Sequence, residues 1–137
     1  LDQFGYLAVV ATMERVRKRL DPAIQGDDPA VLHSLRIAVK RLKYTMEPLT
    51  PVLPALGPLY EDTAALQEDL GFAHDFDVLA AALTDYLTGR ELMGTTAAQA
   101  ALAVVNARRA DLYAAARERA RRIAEPAWHQ KLLDALD

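Results

Sequence analysis

The stretch Leu32-His33-Ser34-Leu35-Arg36-Ile37-Ala38-Val39-Lys40-Arg41-Leu42-Lys43-Tyr44 decides how this chain is read. Wound as an α-helix at about 100° per residue, it gathers His33, Arg36, Lys40 and Lys43 within roughly 80° of one another. Leu32, Leu35, Val39, Leu42 and Met46 form the adjoining apolar face. The cations therefore run along the shoulder of a core-facing stripe. Like charges at i,i+3 and i,i+4 cost about 0.2–0.5 kcal/mol per pair, and no carboxylate enters this sector before Glu47. An elongated anion lying along the helix would relieve that repulsion. Tyr44 borders the same sector and can present its hydroxyl to such an anion, or serve as an aromatic at the core edge.

Outward from this helix, proline and glycine punctuate the chain. A first helix is expected from Asp2 to Leu20, with Tyr6, Val9, Val10, Met13, Val16 and Leu20 on one face and Asp21-Pro22 as its end. Asp28 reads as the N-cap of the basic helix, with Pro29 at its first position. Pro48 ends that helix, and Pro51 and Pro54 are expected to hold an extended connection. A third element spans 58–88. Gly71 is expected to break it as a left-handed cap, Asp75 to restart it as an N-cap, and Phe76, Leu79, Leu83 and Tyr86 or Leu87 to face inward. After a loop from Gly89 to Gly94, a long helix runs from Thr96 to Ala124, Pro126 stops it, and a short helix follows through Leu136. No strand pattern competes. The expected fold is all-α: an antiparallel bundle of four main elements, the third broken, with a short C-terminal helix.

Composition agrees. The 137 residues are 52% hydrophobic and 26% charged, the balance of a single globular domain. There is no cysteine, which excludes disulfides, thiolate metal sites and cysteine nucleophiles, and no apolar run approaches the roughly 18 residues of a membrane span. The net charge of −3 conceals a segregation: residues 44–107 carry nine carboxylates against Arg90 alone, while both flanking segments are net positive. That argues against broad nucleic-acid coating and permits one focused anion site.

Two further arginines fall where a simple bundle would place apolar side chains. Arg17 projects with Val10 and Met13, and Arg109 projects beside Leu102 and Ala116. Each can snorkel from the core edge; together with the basic stripe they point to three helices aiming cations at one groove. Arg108, Arg119 and Arg122 read as a separate solvated ridge. His33, then His74-Asp75, then Asp111 offer the elements of an all-helical metal phosphohydrolase, but such short matches are frequent and the cations around His33 would repel a divalent metal. His74 is instead placed in the turn before a helix, away from the ligand. No phosphate loop, nucleophile elbow, HExxH segment or acid–base pair is present. No catalytic residue, metal site or cofactor is assigned.

The segment Leu32 to Glu47 resembles the signature helix of CHAD domains, the conserved-histidine α-helical domains. Leu66-Gln67-Glu68-Asp69-Leu70-Gly71-Phe72-Ala73-His74-Asp75-Phe76-Asp77-Val78-Leu79 is similar to that family's second hallmark. The resemblance implies a non-catalytic helical domain that binds inorganic polyphosphate in a basic groove, in the cytoplasm and at polyphosphate granules. It carries the ligand role onto His33, Arg36, Lys40, Arg41 and Lys43, with Tyr44 beside them. Family members commonly hold two such bundles in tandem or a fused triphosphate-tunnel (CYTH) domain. Residues 1–137 resemble one bundle, most like the C-terminal repeat, and Lys43 stands where arginine is common. A metal phosphohydrolase, and a helical scaffold that recruits an acidic protein or nucleic acid, are the competing readings.

Overall fold

The computed structural model describes Leu1–Asp137 as five α-helices with no strand: α1 (Gln3–Gln25), α2 (Pro29–Met46), α3 (Gly57–Gly89), α4 (Thr96–Ala124) and α5 (Pro126–Leu136). The all-α antiparallel bundle is as expected. Asp28 caps α2 by accepting from the Ala30 N–H at 2.9 Å, with Pro29 behind it. In α1, Val9, Met13, Val16, Leu20 and Ala23 are buried at alternating steps of four and three residues. They meet Leu35, Val39, Leu42 and Met46 of α2 in one core with Leu59, Leu66 and Leu70 of α3. The base of α4 closes it through Ala116, Ala120 and Ile123, and α5 adds Trp128, Leu132 and Leu136. Trp128 is anchored by its indole N–H, which donates to Asp62 at 2.9 Å.

Three local expectations are corrected. Pro22 does not end α1, which continues to Gln25. The ring removes one helical donor, but the carbonyl it strands belongs to Lys18, which is exposed to solvent, and Ala23 secures the extra turn in the core. The connection 47–56 is not extended; it folds into two 3₁₀ turns, Glu47–Leu49 and Pro54–Leu56, each with a proline in its first two positions and the second pinned by buried Leu56. Most consequential, α3 is unbroken. No glycine has a positive φ, so Gly71 is an ordinary helical residue and Asp75 is mid-helix, not a cap. A glycine costs a helix only about 1 kcal/mol, and the buried neighbours Leu70 and Ala73 outweigh it.

At 33 residues α3 extends roughly 50 Å, well past α2. Beyond Leu70 and Ala116 the α3–α4 pair projects from the core as a hairpin, zipped by Ala73, Leu87, Ala98 and Leu112. Phe76 and Leu83 are only partly buried and Leu79 is exposed, against the inward placement expected of them; of the alternatives Tyr86 and Leu87, Leu87 is the buried one. The hairpin turns at a Schellman motif: Leu92 N–H donates to the Leu87 carbonyl at 2.8 Å and Glu91 N–H to Thr88 at 3.1 Å. Glu91 takes the left-handed position, φ 56°, that glycine would fill without strain. Glu91→Gly is therefore expected to stabilise the chain by about 1 kcal/mol, read as a higher denaturation midpoint at unchanged m-value.

Candidate anion-binding site

α2 and α3 run antiparallel, so successive turns of one face successive turns of the other. Arg36 and Lys43 of α2 border an open cleft of about 390 Å³ with Gln67, Glu68 and Gly71 of α3. One turn towards the start of α2 the cleft narrows into a recess lined by His33, Arg36, Leu70, His74, Asp77 and Tyr113. Tyr113 in turn edges a second open cleft, about 410 Å³, with Arg109, Arg117, Asn106 and Asp27. Arg36 and Tyr113 are shared between neighbouring segments, which makes one path from Lys43 past His33 to Arg117.

The electrostatics of this path follow from which charges are already satisfied. α3 carries no Lys or Arg, and two of its acids turn to α4: Asp69 pairs with Arg119, and Asp77 with Arg109, while Glu68 stays on the open cleft without an ion pair. Arg117 reaches Asp27, while Arg17 and Arg121 pair within their own helices with Glu14 and Glu118. Arg36, Lys40, Arg41 and Lys43 take part in none of these ion pairs. The ammonium groups of Lys40 and Lys43 lie 5.8 and 5.5 Å from the centroid of the Tyr44 ring. Tyr44 thus holds the two lysines together by cation–π attraction and leaves their N–H groups free.

Asp77 is the one carboxylate in the recess, and it is occupied. The Arg109 guanidinium and the Tyr113 hydroxyl both donate to it. Burial and then Asp77 push the Tyr113 hydroxyl up to about 12. Burial disfavours the Arg109 cation, but Asp77 outweighs that effect and raises its pKa above the ordinary arginine value.

The sites expected from sequence divide accordingly. His33, Arg36, Lys43 and, through Asp77 and Tyr113, Arg109 come together. Lys40 lies exposed on the same face beside Tyr44. Arg41 points about 140° from Arg36 around the helix and is exposed, outside both clefts. Arg17 does not reach the groove either: its guanidinium lies 3.5 Å from His129 Nε2 of α5. There burial, and then Arg17, push the His129 imidazole below its ordinary value, with Glu14 partly opposing. Arg119 and Arg122, expected on a solvated ridge, border Asp62 of α3.

Sequence reasoning missed His74, Asp77, Tyr113 and Arg117. His74 does not sit in a turn; its ring centroid is 5.6 Å from that of His33. Its place one helical turn beyond Leu70 was available once α3 was taken as continuous. Asp75, next to His74, is exposed on another face, and no three His, Asp or Glu groups converge to hold a metal.

The family model of the CHAD domain matches residues 8–84. The match covers most of α1, all of α2 and most of α3, and with them His33, Arg36, Lys40, Lys43 and His74. The chain belongs to the CHAD family. No curated protein and no solved structure matches it. No helix is long and apolar enough to cross a membrane.

Proposed function

We propose that this chain is a binding module for inorganic polyphosphate and that it carries out no chemistry on it. The observation that supports this most is the unpaired set Arg36, Lys40 and Lys43, of which Arg36 and Lys43 border a cleft and Lys40 lies exposed on the same face, although the facing helix is rich in acids. From His33 to Lys43 the helix rises roughly 15 Å, so the complement is a chain of negative charges, not a single ion. Membership of the CHAD family supports the identity of that polymer. The one acid in the recess, Asp77, is engaged by Arg109 and Tyr113 and is not free to act as a general base. In the cell the module would sit with polyphosphate in the cytoplasm and at its granules.

The partner we propose is a second CHAD bundle, which would pack on the projecting hairpin. Phe72, Phe76, Leu79, Leu83 and Tyr86 fall within roughly 80° on α3, and Phe72, Leu79 and Tyr86 are about half exposed.

Polyphosphate should raise the melting temperature by mass action, because only the folded chain presents the aligned cations. Equal phosphate supplied as orthophosphate should leave it unchanged. Thermal scans with both ligands test the reading; equal effects, or none from either, would count against an extended groove.

A further inference from the structure

We propose that His33 and His74 form a proton-coupled phosphate subsite, so that polyphosphate is held more tightly as the pH falls through the imidazole range. The inference rests on the polyphosphate reading above and deepens it. The two rings come from different helices, lie 5.6 Å apart and are inclined by 35°. They share the recess with Arg36 of α2, Asp77 of α3 and Tyr113 of α4, with Arg109 behind Asp77. No carboxylate pairs with either ring: Asp77 already accepts from Arg109 and Tyr113, and Asp75 is turned out to solvent. In the empty site two imidazolium ions would repel each other and Arg36. A phosphate chain crossing the recess reverses that balance. It neutralises both charges and accepts from ring N–H groups that only the protonated forms all present.

Binding would then take up as many as two protons. The sign follows from linkage: where the complex holds more protons than the free site, affinity rises as pH falls, with a log–log slope equal to the uptake. The effect belongs to the interval, roughly pH 5 to 8, in which imidazoles in general change charge. Tyr113, whose hydroxyl is pushed up to about 12, stays protonated throughout that region and does not supply the slope.

The test titrates long-chain polyphosphate into the full chain by calorimetry between pH 5.5 and 8.0. Two buffers of different ionisation enthalpy count the protons. Wild type should gain more than tenfold in affinity over this range. His33→Gln and His74→Gln should each lose about half the slope, and the double variant should be flat. In proton NMR the rings of His33 and His74 should shift on adding polyphosphate and that of His129, against Arg17 at α5, should not. A wild-type slope kept by the double variant, or pH-independent binding by wild type, would overturn the inference and leave the polyphosphate reading intact. Absence of binding at every pH would overturn that reading itself. A melting scan of each variant verifies that it is folded at the pH of measurement.

Discussion

Arg36→Ala is expected to weaken polyphosphate binding by about tenfold to a hundredfold. Arg36 is the one cation that borders both the open cleft and the histidine recess, so its loss interrupts the path in the middle. A hydrogen bond to a charged group is worth about 1.5–3 kcal/mol, and each 1.4 kcal/mol is a factor of ten. The salt dependence of binding should flatten too, since one fewer phosphate contact releases fewer counterions. Arg36→Lys should recover part of the affinity, keeping the charge but losing the forked geometry. Arg121→Ala is the control: that side chain is exposed and pairs with Glu118 in its own helix, and its removal should change affinity less than twofold. Equal losses from Arg36→Ala and Arg121→Ala would show a diffuse basic surface.

Gly71 gives the second large effect, of opposite sign for two substitutions. Gly71→Pro should destabilise the chain by about 3 kcal/mol or more, because the ring would clash with the carbonyl of Gln67 and remove a bond in mid-helix. It would also uncouple His74 from His33. Gly71→Ala should stabilise by about 1 kcal/mol, since a β-carbon there meets no neighbouring side chain or helix within 4 Å. Denaturant titration of both variants reads this directly. A chain broken at Gly71 by a left-handed cap would reverse the second result, with alanine destabilising.

These two residues also mark where the sequence was legible and where it was not. The basic face of α2, its Asp28 cap and the span of α4 follow from periodicity and local chemistry, and each is found in place. Pro22 and Gly71 misled because each is a local breaker set beside core residues, Ala23 on one side and Leu70 and Ala73 on the other. Packing overrides a penalty of that size. Reading a break at Gly71 also discarded the helical phase of His74, so its pairing with His33 was lost with it. Arg41 is carried into the site by the family motif, against its position on the helical wheel. Arg17 faces α5, whose docking beside α1 no periodicity specifies. Asp77, Tyr113 and Arg117 gain their roles from contacts between helices far apart in the chain, beyond any local pattern.

The central claim is that the unpaired cations of α2 form a groove for an extended phosphate polymer. Calorimetric titration at about 0.15 M salt, with chelator present, compares long-chain polyphosphate with single-stranded DNA of equal charge. The account predicts saturable binding of polyphosphate at least tenfold tighter than of DNA, with no orthophosphate released. Equal affinity for the two polymers, or no saturable binding of polyphosphate, would contradict it.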